Sequence, residues 1–244
     1  MGLTYRTCKV VARYVRGDCL TIGRQGLLIS DRQCRKLSGR AIAGVAPREG
    51  RWRYADGFLK ALGAARVDSL DIVTGEGANI IHDLNLPLPP QLREKYDVVI
   101  DNGTLEHIFD IRTAIQCYAD ATKVGGTLII DVPANNYLGH GLYQLGPEFF
   151  FRVLSPENGF EPLVYLSTRL GVRRLEDPKR RQKRFSSYIR ATIICVAKKV
   201  SPQPHLSAIE WCYQSPDGVS TPALDQWKEI SFVDRLRMWL RDRL

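Results

Sequence analysis

The chain has 244 residues, 44% of them apolar and 25% charged, with 20 glycines, 13 prolines and 4 histidines. That is one domain of generous size, or one domain with an extension, with apolar content ample for a buried core. A mean hydropathy of -0.20, and the lack of any stretch near the roughly 18 apolar residues of a membrane span, exclude a mainly membrane-embedded protein. Met1 to Ala12 carries Arg6 and Lys9 with no apolar run behind them, so no signal peptide is expected. Cys8, Cys19, Cys34, Cys117, Cys195 and Cys212 form no CxxC pair. They read as reduced, mostly buried thiols of a cytoplasmic protein.

The net charge of +9 conceals an asymmetry. Residues 1–66 hold 14 basic and 4 acidic side chains, residues 67–168 hold 5 and 14, residues 169–199 hold 11 and 2, and the remainder is nearly balanced. An acidic centre is flanked by two basic segments, a pattern that says more than the total.

In chain order, Asp18 to Ile22 reads as a first strand ending at Gly23. Tyr54 to Leu62 has helical spacing, with Gly63 as its stop. Val67 to Val73 is a second strand and Ala78 to His82 a short third. Tyr96 to Asp101 is almost continuously apolar, as a central parallel strand should be. Thr104 to Val124 reads as a helix closed by Gly125-Gly126, before a fifth strand, Thr127 to Val132. Leu163 to Ser167 and Arg190 to Lys198 make the sixth and seventh strands, with a basic stretch, Arg169 to Arg184, between them. Ser201 to Pro204 reads as a linker. It opens an extension, 200–244, whose Phe232, Leu236, Trp239, Leu240 and Leu244 recur at helical spacing among arginines. That amphipathic helix suits packing against the sheet or a second subunit, or peripheral contact with an anionic membrane. Alternating strands and helices predict an α/β fold with an open, mostly parallel, Rossmann-like sheet.

Ligands of such sheets bind outside the carboxyl ends of the strands. Four of the predicted strands carry polar residues there: Gly23-Arg24-Gln25-Gly26, Asp71, Asp83, and Asp101-Asn102-Gly103-Thr104. An acidic side chain after the second strand suits a ribose diol, and one after the third suits an exocyclic amine such as that of adenine. Acidic residues also cap helices and fill turns, so each alone is weak; their order along one edge is what carries weight.

Tyr96 to Asp110 (YDVVIDNGTLEHIFD), followed by Val124 to Pro133 (VGGTLIIDVP), resembles the class I S-adenosylmethionine-dependent methyltransferases. The similarity is greatest to the branch with a Leu-Glu-His element after strand four, and it spans about residues 17–199. The resemblance implies a seven-stranded sheet with the last strand antiparallel and helices on both faces. It further implies S-adenosyl-L-methionine as cofactor, with contacts from Asp71 to the ribose, from Asp83 and Leu84 to the adenine, and from Asn102. The family's glycine-rich GxGxG loop is replaced here by Gly23-Arg24-Gln25-Gly26. Gly23 can still supply the turn, and Arg24 is suited to a cofactor carboxylate; alternatively, cofactor binding has been lost. The separation of Gly23 from Asp71 also exceeds the roughly 30 residues of a βαβ unit, so residues 25–52 read as an insertion within a domain of residues 1–199.

Methyl transfer asks the protein for alignment, plus a base where the acceptor is a hydroxyl. His140, in a polar loop after strand five with Gly139 and Gly141 on either side, is the first candidate base. His107, read as one turn into the helix after strand four, is the second, with a packing role the competing reading. No His/Cys/carboxylate cluster has ligand spacing, so no metal is expected. Three functions follow. The first is a methyltransferase acting on oxygen or nitrogen of a small molecule or glycan, anionic acceptors being favoured by basic segments that follow strand carboxyl ends. The second is a catalytically inactive relative serving as a binding or partner protein. The third is an RNA methyltransferase, disfavoured because no aromatic-and-basic recognition motif is present.

Overall fold

The computed structural model describes residues 2–39, 54–177, 189–202 and 205–208. The chain opens with β1 (Gly2–Leu3), α1 (Tyr5–Val11) and β2 (Gly17–Ile22), followed by β3 (Gly26–Leu27) and α2 (Asp31–Ser38). Ser30 and Gln33 start α2 with a reciprocal capping box, and Gly39 ends it in the left-handed conformation. After α3 (Asp56–Leu62) come β4 (Ala64–Asp71), β5 (Ile80–Ile81) and β6 (Tyr96–Asn102). Then follow α4 (Ile111–Ala121), β7 (Thr122–Asn135), α5 (Pro147–Val153), β8 (Phe160–Thr168), β9 (Gly171–Arg174) and β10 (Ala191–Lys199).

The main sheet runs β5-β4-β2-β6-β7-β10-β8-β9. β5, β4, β2, β6 and β7 are mutually parallel, and β10 lies antiparallel between β7 and β8. Seven of these strands form the expected Rossmann-like arrangement with the last strand in sequence reversed. The eighth, β9, pairs antiparallel with β8 at the sheet edge; it arises inside the basic stretch, and its Arg173 and Arg174 are exposed, as charged residues that blunt a free edge are. Sheet order reverses direction beside β2 and β6, so the carboxyl ends of these two strands flank the crevice where such sheets bind ligands.

Both faces of the sheet are covered, which explains why the middle of β6, Val98 to Ile100, is apolar on both sides. Tyr96 and Val99 of β6 pack with α4 and α5 in one cluster, while Val98 and Ile100 pack with Cys8, Val11, Cys34, Phe58 and Leu59 of α1 to α3 in the other. The α4 carboxyl terminus is closed by Lys199, whose buried ammonium donates to the carbonyls of Ala119 and Thr122, both at 2.9 Å.

Two sequence expectations are corrected here. Residues 104–124 are not one helix. A single 3-10 turn, Leu105–His107, precedes α4, which starts only after Asp110 accepts from the Thr113 amide. His107 therefore sits in a turn against the sheet edge rather than within a helix. Gly125-Gly126 does not stop that helix either. β7 begins at Thr122 and passes through an irregularity there, with Gly125 at φ 80° and a Gly126 Cβ position 2.8 Å from the Lys123 carbonyl.

The start of the predicted insertion is ordered. β3 pairs in parallel with β1, and α2 packs in the α1 cluster. At the neck of this segment Gly26 bridges to Tyr54, and the Ala55 amide donates to the Gln25 carbonyl at 2.9 Å. The amphipathic helix expected in 200–244 and much of the basic stretch, 178–188, lie outside the described residues. No helix among the described residues is long and apolar enough to cross a membrane.

Candidate active site

At the carboxyl edge, Gly23 turns out of β2 at φ 68°, a conformation that suits glycine, and its amide donates to the Leu70 carbonyl at 2.7 Å. A Cβ on Gly23 would stand 3.2 Å from Thr104 Oγ1, 3.7 Å from Gln25 Nε2 and 4.0 Å from Asp71 Oδ2. Three strand ends thus converge around one glycine. Thr104 is fixed there by donating to the Ile22 carbonyl at 3.1 Å, and the Gln25 side-chain Nε2 donates to the same carbonyl. Asp71 is half-buried; its Oδ1 accepts from the Val73 amide at 3.2 Å.

Asp83 follows β5 on the same edge. Its Oδ1 accepts from the backbone and side-chain amides of Asn85, at 2.9 and 2.8 Å, and these bonds hold its carboxyl below the ordinary range. Leu84 turns its side chain into the core. Asn102, the last residue of β6, is buried and stands opposite Asp131 of β7.

Arg24 is placed differently from the expectation of a carboxylate clamp. Its guanidinium lies 4.1 Å from the centre of the Tyr54 ring, 3.5 Å from Asp56 Oδ2, and donates to the Glu76 carbonyl at 2.8 Å. The side chain ties the loop after β2 to the loop after β4.

Beside this cleft lies a second group that sequence spacing conceals. Glu106, in the 3-10 turn, is fully buried, and neither of its carboxylate oxygens has a hydrogen-bond partner among the described residues. His140 Nε2 lies 3.4 Å from its Oε1, and His107 Nε2 lies 3.8 Å from the same atom. The two imidazoles meet edge to face, with centroids 4.9 Å apart. The loop carrying His140 is anchored on Glu106 itself, whose carbonyl accepts from the amides of Leu142 at 2.7 Å and Tyr143 at 3.2 Å. Gly141, at φ 72°, permits this approach; a Cβ there would fall 2.8 Å from Glu106 Cγ.

Burial pushes the Glu106 carboxyl up to about 7, with the charge of Asp131 adding to it. Asp131 is itself pushed up to about 6 by burial, against the hydrogen bond that Thr7 Oγ1 of α1 donates at 2.6 Å. Burial, then the nearby His140, hold His107 below the ordinary imidazole range.

The structure brings together His140 and His107, which the sequence offered separately as first and second candidate bases. Glu106 was not anticipated as a site residue, whereas Gln25, Thr104 and Gly141 lay in segments singled out from the sequence without roles of their own. The signal for Glu106 was available: a lone acid beside His107, between the apolar Leu105 and Ile108. His82 makes a local contact instead, its Nε2 lying 3.2 Å from the Leu86 carbonyl.

No family model and no curated protein matches the chain. Similar solved structures include a protein from Bacillus halodurans C-125 provisionally described as a methyltransferase, at 12% identity and a TM-score of 0.47, covering 82% of this chain and all of that one. Another is the complex of DhpI with S-adenosylhomocysteine, at 15% identity and a TM-score of 0.40, covering 82% and 84% of the two chains. A third is a protein from Galdieria sulphuraria provisionally described as a sarcosine dimethylglycine methyltransferase, at 16% identity and a TM-score of 0.43, covering 80% and 85%. The fold described above rests on the strand order itself, an α/β sheet whose carboxyl edge gathers polar side chains from three successive parallel strands.

Proposed function

We propose that the protein is an S-adenosyl-L-methionine-dependent methyltransferase acting on oxygen or nitrogen of a small molecule or glycan. The observation that carries this reading is the convergence of Gly23, Gln25, Asp71 and Thr104 at the strand-order reversal, beside the Glu106-His107-His140 group. The turn at Gly23 brings three strand ends together, and Asp71 offers acceptors to a ribose diol. Asp83 extends the same edge toward an adenine, where Leu84, its side chain in the core, has only backbone to offer, and Asn102 ends β6 on the other side of β2. S-adenosyl-L-methionine supplies the electrophilic methyl group when bound. The chain's own residues align the acceptor and take up its proton, a task that suits His140 held against Glu106.

The acceptor we favour is anionic. Arg169 follows the carboxyl end of β8, and its carbonyl accepts from Arg6. Arg190 precedes β10 at the same edge, 5.7 Å from the Tyr137 ring centre. Arg190 thus stands against the start of the loop that carries His140, and Arg6 and Arg169 meet at the neighbouring strand end. Phosphorylated or carboxylated sugars fit this better than RNA, for which the sequence carries no aromatic-and-basic recognition motif.

One observation favours a second reading, a cofactor-free relative acting as a binding protein: Arg24 is committed to Tyr54, Asp56 and the Glu76 carbonyl rather than held ready for a ligand. The test is transfer of labelled methyl from S-adenosyl-L-methionine to a panel of phosphorylated, carboxylated and neutral sugars and amines. The methyltransferase reading expects transfer to an anionic member, reduced about 100-fold in His140→Ala. Transfer to no member, with no cofactor bound, supports the second reading instead.

A further inference from the structure

We propose that Glu106, His107 and His140 form a binding site for a divalent transition-metal ion of the zinc class, facing the acceptor side of the cleft. Their ligand atoms all lie within 4.8 Å of one another. Ligand atoms held about 2.0–2.1 Å from such an ion in tetrahedral geometry stand about 3.3 Å apart. The distances of 3.4 and 3.8 Å from Glu106 Oε1 to the two imidazole nitrogens are close to that edge length. Rotation of the two partly exposed imidazoles toward each other closes the third side.

The donor set supports the same ion. Two imidazoles and one carboxylate suit first-row transition ions, whereas magnesium and calcium take mainly oxygen. Three protein ligands also leave an open position for an acceptor oxygen or water.

The buried carboxylate is the independent observation. Glu106 is 0% exposed, and both its oxygens lack donors among the described residues. Burying an unpartnered carboxylate is costly, and its usual remedies are hydrogen bonds, an ion pair or a metal. His140 Nε2 is buried without a hydrogen-bond partner too, although it stands at ion-pair distance from Glu106. With Nε2 unprotonated, the two groups turn lone pairs toward one point, as half of a coordination shell does. Sequence spacing gave no hint of it, because His140 is delivered by the folded-back loop after β7 and not by the element that carries Glu106 and His107.

The ion's place in the chemistry rests on the methyltransferase reading: with His140 Nε2 committed to the ion rather than acting as base, the ion would hold the acceptor oxygen at the open position and ease loss of its proton to water. Its existence does not depend on that reading. The experiment uses the full chain stripped with chelator and titrated with cobalt(II), followed by visible absorption, and with zinc(II), followed by calorimetry. One ion per chain is expected, with ligand-field bands typical of low-coordinate cobalt. Glu106→Gln and His107→Ala should each weaken zinc binding at least 10-fold while circular dichroism stays native. His107 is partly exposed, so its variant should remain folded even if Glu106→Gln does not. Absence of a saturable cobalt spectrum, or zinc affinity unchanged in His107→Ala, overturns the site. S-adenosylhomocysteine binding, measured on the same stripped sample, separates the two readings: cofactor binding without metal binding removes only the ion.

Discussion

Two carboxylates five positions apart, equally hidden from solvent, behave in opposite ways. Asp101, at the end of β6, accepts from the amides of Thr104 at 2.9 Å and Leu105 at 3.0 Å and from the Tyr118 hydroxyl at 3.1 Å. Glu106, one turn later, accepts from nothing among the described residues. Both are pushed up to about 7, chiefly by burial, and at Asp101 the charge of Glu106 adds to it. The first carboxylate organises the turn that aims Thr104 at the end of β2. The second is left with its coordination capacity unused, and two histidines stand against it. Burial alone does not distinguish an architectural acid from a functional one; the partners do.

The strongest way to break this contrast is to truncate each acid. Asp101→Ala would strand three donors in the core, and urea unfolding should report a loss of about 3 kcal/mol or more. Glu106→Gln should change stability by no more than about 1 kcal/mol, because no donor loses its partner, while methyl transfer falls about 100-fold. Equal destabilisation by the two substitutions would end the distinction.

A somewhat smaller effect is expected at Gly141. Alanine there must adopt a positive φ and meets Glu106, so a cost of roughly 1–3 kcal/mol should appear in thermal unfolding. The loop should also lose its hold on His140, lowering the turnover number while S-adenosylhomocysteine affinity stays within about twofold of wild type. A matched loss of cofactor affinity would mean that the loop serves the cleft as a whole.

The pH dependence of stability sharpens the comparison further. Asp131 titrates at about 6 in the folded chain and near 3.9 when unfolded. Above that lower value the unfolded state releases its proton while the folded state keeps it, so the contribution of Asp131 to stability falls as pH rises from about 4 to about 6. Asp131→Asn keeps an acceptor for Thr7 and should flatten that slope, raising stability near neutrality relative to pH 4.5. Urea titrations at the two pH values check it; an unaltered slope would remove Asp131 as its source. The smallest effect concerns the thiols. Cys8, Cys19, Cys34, Cys117 and Cys195 are buried, and burial pushes Cys19 up to about 12 and Cys117 up to about 11. These five should react with a thiol reagent only after unfolding.

The sheet was legible in the sequence because its signal is local. Tyr96 to Asp101 is apolar on both faces, and the predicted strands are present at β2, β4, β5, β6, β7, β8 and β10, most of them longer than expected. The eighth strand was hidden because Gly171 to Arg174 is short and charged, as an edge strand is. α1, α2 and α5 were missed as well: each is about two turns long, too short for periodicity to be informative, and each is fixed by packing on the sheet. The cleft was legible in part. Asp71 and Asp83 follow strand ends, where chain position alone predicts a ligand edge. The Glu106-His107-His140 group was not, since its geometry depends on a loop folding back over the end of β6 through two backbone hydrogen bonds to Glu106.

The central claim is that this carboxyl edge holds an adenosyl cofactor. Calorimetric titration of S-adenosylhomocysteine into the full chain tests it most directly. The account predicts one site per chain, weakened at least 10-fold in Asp71→Ala with the fold intact. No binding heat at millimolar ligand by a natively folded chain, or affinity indifferent to Asp71→Ala, would contradict it.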